Sequence, residues 1–248
     1  MTYQSVKSQD FKSFEWLVID GASKDKTTNF LSSINDNFFG FISEADDGIY
    51  DAMNKGVKMA SGEYIVFMNS GDIFYSESVL NIVNEKLLSS LYKPDVLYGG
   101  AVLSFSQRVT YYRRPLELES SIWHGLPANH QATYYRRNLI NKIPYKTEYT
   151  LCSDYYLSAV LSLHKCKSIL LDKPLTFFKP GGSSSTKFFP LFYQPYLIQR
   201  DVLKRNLISR ITSIAKRFAA TLVFQMLILR VALVGNTSSL LNLRRTGK

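Results

Sequence analysis

Apolar residues in this chain gather into short runs set off by polar turns, and two of the runs lead straight into a carboxylate. Residues 15–20 read Glu-Trp-Leu-Val-Ile-Asp, and the apolar run 64–68 is followed by Asn69-Ser-Gly-Asp72. A β-branched and aromatic run bounded by turn residues predicts a buried parallel strand, and ligands in open α/β sheets sit beyond the carboxyl ends of such strands. Asp72 is therefore expected to face a ligand. Between the two runs the pattern predicts a helix over 28–34, a short strand over 38–42, and a helix running through the fifties to Ser61-Gly62. Residues 1–13 are polar enough for one short helix at most.

Further along, helical periodicity marks 78–91, and 95–99 reads as a strand ending in a glycine pair. Residues 101–105 and 109–112 suit paired strands, 155–163 an apolar helix, 168–172 and 175–178 two more strands, and 180–186 a Gly- and Ser-rich loop. The alternation predicts an α/β, Rossmann-like domain over 1–195, its mostly parallel sheet flanked by helices. Residues 196–248 then form a basic amphipathic helical tail. In it Leu203, Leu207, Ile208, Ile211, Ile214, Ala215 and Phe218 recur on one helical face, with Arg205, Arg210, Lys216 and Arg217 off it and Lys204 interrupting the apolar arc. The longest uncharged run, 218–229, has 12 residues, short of the roughly 20 a membrane span needs. The tail reads as an interfacial helix on an anionic leaflet, or as a helix packed on the protein body or a partner subunit.

Composition sharpens this picture. The chain has 248 residues, 46% of them hydrophobic, enough for a sizeable core, and 16 each of Tyr and Phe suggest rings lining a cleft. Its net charge is +10, yet +9 of that falls within 196–248, where ten Lys/Arg face Asp201 alone. A neutral body with a charged amphipathic tail argues against nucleic acid as the partner. Two cysteines, Cys152 and Cys166, make neither a disulfide framework nor a metal spacing, which fits a reducing compartment. The first residues carry no apolar stretch of the kind that marks secretion.

Several residue groups carry candidate chemistry. Asp20, before the turn 21–27, suits hydrogen bonding to a ribose or base, or serves as a capping acid. Arg113 and Arg114 reach phosphate or sugar, or form a solvated basic turn. Residues 124–131, His-Gly-Leu-Pro-Ala-Asn-His-Gln, place two histidines and an amide where neither helix nor strand packing explains them. Asp154 falls at the start of the 155–163 helix, either as a dipole-stabilised acid or as a proton acceptor facing a cleft.

Taken in register, Asp20-Gly-Ala-Ser-Lys-Asp-Lys-Thr27, the stretch 44–56, Ser61-Gly-Glu-Tyr, Asn69-Ser-Gly-Asp72, 124–131, Cys152-Ser-Asp-Tyr155 and Pro180-Gly-Gly-Ser183 resemble family 2 inverting glycosyltransferases of the GT-A fold. The resemblance covers roughly 14–186 and is nearest to colanic-acid and O-antigen enzymes. It implies that Asp20, Ser23, Asp47 and Asn54 bind the donor, and that Gly181, Gly182 and Ser183 approach its diphosphate. It further implies that Asp72 holds Mg²⁺ or Mn²⁺, that His130 and Gln131 bind acceptor or phosphate, and that Asp154 is the catalytic base. Such a family begins with a strand that closes over the nucleotide base, and nothing before Glu15 suits it, so either the start lies too late or one wall of the donor site and one central strand are expected to be lacking. Lys26 also stands where the family usually has glycine.

The resulting expectation is a metal-dependent enzyme using a nucleotide-sugar donor and a lipid-linked or oligosaccharide acceptor. It would work in bacterial surface-polysaccharide assembly, peripheral on the cytoplasmic face of the plasma membrane. The alternative is a truncated, catalytically silent scaffold that binds membrane or a partner enzyme.

Overall fold

A computed structural model describes residues 1–106, 109–178, 188–223 and 225–226. After helix α1 (Thr2–Lys7), strand β1 (Trp16–Asp20), helix α2 (Thr27–Ser32) and strand β2 (Phe39–Ser43) form a βαβ unit whose strands pair in parallel, Asp20 opposite Ser43. Helix α3 (Ile49–Met59) buries Tyr50, Met53 and Val57, a single stripe at helical spacing. Its Lys55 bridges Glu44 at 2.9 Å and Asp51 at 3.2 Å on the opposite, wetter side. Glu15 ties β1 to the turn after α3: its Oε1 accepts the backbone N–H of Ser61 at 2.6 Å and of Gly62 at 2.7 Å.

The remaining elements are β3 (Tyr64–Ile65), β4 (Ile73–Phe74), α4 (Val79–Leu88), β5 (Val96–Ser106), β6 (Val109–Arg113), α5 (Leu118–Ser121), β7 (Thr133–Arg136), α6 (Arg137–Ile140), α7 (Ser153–Leu163) and β8 (Ser168–Phe178). A helix over Phe188–Asp201 and another over 207–223 follow. The second sheet runs β3-β7-β5-β8-β4, with β6 on the upper half of β5.

The α/β class holds, but the sheet expected to be mostly parallel is mixed. Among the described residues only β1–β2 and β5–β8 pair in parallel, and the other four pairings are antiparallel. The run 64–68 was expected as a buried parallel strand. Only Tyr64 and Ile65 pair, and they do so antiparallel to β7, a strand that the sequence pattern did not reveal. The two strands predicted at 168–172 and 175–178 are one bent strand. Pro174, which has no N–H for a ladder, sits at the register shift opposite Gly100. The Phe188–Asp201 helix runs across the expected boundary at 195/196, with Ile198 and Gln199 fully buried.

The pairing of β5 with β8 requires Gly99. A methyl group there would stand 2.1 Å from Leu175 Cδ1, and Leu175 is completely enclosed. Gly99→Ala should therefore destabilise the fold by about 1–3 kcal/mol, read as a fall of roughly 2–12 °C in melting temperature. Adding Leu175→Val should recover part of that loss; strictly additive effects of the two changes would show that this contact is not the cause.

Candidate active site

One cleft of about 3180 Å³ collects most of the residues singled out above. Its walls include β1, Asp46 and Asp47, β3, the Asn69–Asp72 turn, Arg113, His130, Gln131, Asp154 and Arg217. A small-molecule site occupies about 300–1,000 Å³. The excess lies between the two sheets, since β1 and β3 both face the cleft and are not hydrogen-bonded to each other.

At the end of β1, Asp20 is 7% exposed and fully engaged. Its carboxylate accepts Ser23 Oγ–H at 2.5 Å, Ser23 N–H at 3.0 Å and Ser43 Oγ–H at 2.6 Å. Those hydrogen bonds, Ser23 foremost, hold its pKa below the usual carboxylate range. Asp20 and Ser23 thus shape the turn under one end of the cleft. Gly21 is needed beside them, because a Cβ there would lie 2.5 Å from Asp46 Oδ2, while Asp46 Oδ1 accepts the Gly48 N–H at 2.9 Å. Asp47 is exposed on the cleft wall. Asn54, expected in the donor pocket, holds another post. Its amide donates to Tyr145 O and accepts the Tyr145 N–H, both at 2.8 Å, so both ends are used to clasp α3 to the 145 segment.

Asp72 is buried, 6% exposed, in a tight turn whose Gly71 has a φ of 95°. The Asn69 N–H reaches its Oδ2 at 2.9 Å. Burial raises its pKa, against hydrogen bonds from Gln131 and Asn69 that pull it down. Gln131 is thereby tied to the carboxylate expected to carry a metal. Among the described residues no group of three His, Cys, Asp or Glu side chains could enclose a cation. A hard ion such as Mg²⁺ or Mn²⁺ keeps several waters and takes only one or two carboxylates plus phosphates, so it does not need such a group. A buried carboxylate short of countercharge is a suitable single anchor.

Asp154 lies in the first turn of α7, where the helix dipole alone would lower its pKa. Burial outweighs the dipole and pushes it up to about 6, opposed by the Tyr155 N–H at 2.8 Å and the Tyr50 hydroxyl at 3.3 Å from Oδ1. The surroundings are aromatic: Tyr50 stacks on Tyr145 at 5.4 Å, and Phe67 and His130 pack on the same tyrosine. His130 Nε2 lies 2.7 Å from the Tyr145 hydroxyl, its Nδ1 has no partner among the described residues, and burial lowers its pKa to about 4. A ring that is neutral at physiological pH can offer a phosphate a hydrogen bond but no charge. Tyr50 and Tyr145 were missed in the sequence, where only the surplus of tyrosines hinted at them.

Arg113 and Arg114 part company. Arg114 is exposed and pairs with Asp172 at 3.2 Å, a solvated turn residue. Arg113 is half-buried, donating to Asn129 Oδ1 at 2.7 Å and Leu126 O at 2.8 Å. His124 rests against Trp123 with Nδ1 unpartnered, and burial followed by the nearby Lys216 and Arg217 charges lowers its pKa. Gly181, Gly182 and Ser183 lie outside the described residues.

Known proteins resemble this chain in sequence and in fold. The pattern of the glycosyl transferase family 2 matches residues 1–153. A PGL/p-HBAD biosynthesis glycosyltransferase of Mycobacterium bovis (strain BCG / Pasteur 1173P2) is 29% identical over 157 residues, 61% of this chain and 59% of that protein. An uncharacterized glycosyltransferase of Mycobacterium tuberculosis (strain ATCC 25618 / H37Rv) is 31% identical over 160 residues, 62% of this chain and 59% of its own length. This chain matches about three fifths of either relative, and neither bears a colanic-acid or O-antigen name. Among solved structures, S. aureus TarS 1-349 in complex with UDP superposes with a TM-score of 0.63 at 19% identity, covering 88% of this chain and 65% of that one. Mannosyltransferase PcManGT from Pyrobaculum calidifontis, in complex with GDP-Man and Mn²⁺, gives 0.62 at 14% identity, covering 99% and 77%. On the match over residues 1–153 and this shared GT-A fold, the chain belongs to glycosyl transferase family 2.

Proposed function

We propose that the protein moves one sugar, with inversion, from a nucleotide-diphosphate sugar to a hydroxyl of a lipid-linked or oligosaccharide acceptor. The observation that carries this reading is Asp154, a carboxylate on the cleft wall whose burial poises it near pH 6. A general base works best with a pKa near the operating pH. Its ionised oxygen would take the acceptor hydroxyl proton as that oxygen attacks the anomeric carbon opposite the departing nucleoside diphosphate. Asp72, with Gln131 beside it, would hold Mg²⁺ or Mn²⁺, which when bound neutralises charge on the leaving diphosphate. Asp20 and Ser23 shape the floor for base or ribose, Asp47 faces the donor, and His130 braces the aromatic wall. The pathway we propose is bacterial surface-polysaccharide assembly; the mycobacterial relative carries a PGL/p-HBAD biosynthesis name.

The tail supports a place at the inner face of the plasma membrane. Among the described residues no helix is long and apolar enough to cross a membrane. The 207–223 helix instead presents Leu207, Ile208, Ile211, Phe218 and Leu222 outward, Ile208 at 77% exposure. Such a face suits shallow burial in a bilayer surface. The divided sheet favours a second reading, a catalytically silent scaffold docked by the same tail.

Nucleotide binding separates the two readings. With Mn²⁺ and a nucleoside diphosphate at about 100 times its Kd, the melting temperature should rise by roughly 5–10 °C, and the rise should vanish in Asp72→Asn. No shift with any nucleotide in a cooperatively melting chain would leave the scaffold. Asp154→Asn should lower transfer by about 10²–10⁴-fold, and parental activity should fall as pH drops through about 6, where the base protonates.

Stability should move the other way. The folded pKa lies above the unfolded value near 4, so ionising Asp154 destabilises the fold progressively between those two pH values. Above about pH 6 the deficit is on the order of 3 kcal/mol. Asp154→Asn should therefore melt higher than the parent at pH 7.5 and close to it at pH 4. For the tail, Ile208→Glu with Phe218→Glu should abolish co-sedimentation with vesicles of anionic lipid; undiminished binding would remove this face as the docking surface.

A further inference from the structure

The tail helix is turned with its basic side inward, and this brings an arginine into the cleft. The Arg217 guanidinium lies 4.8 Å above the ring of Tyr155, the residue after Asp154, and Arg217 lines the same cleft. Among the described residues its Nε and Nη2 are enclosed and meet no acceptor, although the Tyr155 hydroxyl lies close enough to the guanidinium to interact with it. Lys216 lies over Trp123 at 4.3 Å, and Arg113 stands in the wall with two nitrogens already tied to Asn129 and Leu126. Among the described residues none of these three cations forms an ion pair with a carboxylate. The neighbouring histidine, His124, is held neutral in part by them. The helix is fixed in this pose by Gln199, whose Nε2 donates to Ser213 Oγ at 2.7 Å and to the Tyr155 hydroxyl at 3.1 Å.

Enclosed guanidinium N–H groups with no acceptor are a standing deficit, and the fork they form matches two oxygens of a phosphate. We propose that Arg217, backed by Arg113 and Lys216, forms an anion subsite beside Asp154 that takes a phosphate or diphosphate group of the acceptor. A donor diphosphate offers the same chemistry. The position beside the proposed base, on elements separate from the Asn69–Asp72 turn, assigns the site to the acceptor, and that assignment alone rests on the transferase reading above. The acceptor class it implies is a sugar carried on a phosphorylated or diphosphorylated anchor. The tail helix is then a wall of the site as well as a docking element.

The test is calorimetric titration of the full chain with inorganic pyrophosphate in the absence of divalent cation. Affinity should fall at least tenfold in Arg217→Met, recover in part in Arg217→Lys, and hold in Arg200→Ala, which removes the same charge from an exposed position. Equal affinity in Arg217→Met and the parent, or an equal fall in Arg200→Ala, would overturn the site. If Arg217→Met does not fold, Arg217→Lys decides: it keeps charge and stem but loses the fork, and its affinity must fall at least threefold. The source of the phosphate is read from the nucleotide-induced melting shift with Mn²⁺. That shift should survive in Arg217→Met, while pyrophosphate binding should survive in Asp72→Asn; the reverse pattern would move the subsite to the donor and overturn the assignment. A chain that binds pyrophosphate through Arg217 yet shows no nucleotide shift would count against the transferase reading and leave the anion site standing.

Discussion

The parallel pairing of β5 with β8 is the constraint on which the other parts depend. Both strands are 11 residues long, and each carries a neighbour that bears part of the cleft. On the free edge of β5, β7 grows out of the turn that holds His130 and Gln131. On the free edge of β8, β4 follows directly on the Asn69–Asp72 turn. Helix α7, with Asp154 in its first turn, feeds into β8. The glycine pair in β5 lets Leu175 and the Tyr112 ring close over the sheet, so the small residues at 99 and 100 set the spacing of groups far from them in sequence.

The carboxylates of the cleft are held in opposite electrostatic states by ordinary means. Asp20 is crowded with donors, and these favour its ionised form. Asp72 and Asp154 have fewer donors than burial demands, so for both the desolvation penalty prevails. Asp154 shows the balance most clearly, because a helix N-terminus is worth only about 0.3–1 kcal/mol at exposed sites and the aromatic surroundings exceed it. The fold thus keeps one carboxylate as a structural clasp and inclines two to hold a proton, Asp154 even with the Arg217 charge nearby.

Much of this was legible in the sequence where local chemistry and position coincide. The strand ending at Asp20, the 49–59 helix with its buried stripe, and the α7 acid all follow from runs, caps and spacing. What escaped depends on partners distant in the chain. Residues 66–68 have strand composition, but the ladder with β7 stops at Ile65 opposite Tyr135, and the Thr133–Tyr134 half of β7 pairs with β5 and not with 66–67. Asn54 sits within a recognisable motif, and nothing local reveals that the Tyr145 backbone will claim its amide. Arg113 and Arg114 are indistinguishable as a dipeptide until one meets Asn129 and the other Asp172. The tail's periodicity defines two faces without saying which turns inward. The rings of Tyr155, Tyr196 and Trp123 decide it by receiving Arg217, Arg210 and Lys216.

That reversal has a consequence for the molecule in bulk water. Soluble monomers keep contiguous apolar patches small, and larger ones drive association. Here Leu207, Ile208, Ile211, Phe218 and Leu222 share an exposed side of a helix that Gln199 bolts to the Tyr155 hydroxyl. Hiding them by rotating the helix would break that buried bridge and strip three cations from their rings. Among the described residues nothing covers this adhesive side, and in the absence of a surface to cover it, association is driven by that side against the repulsion of a net charge of +10.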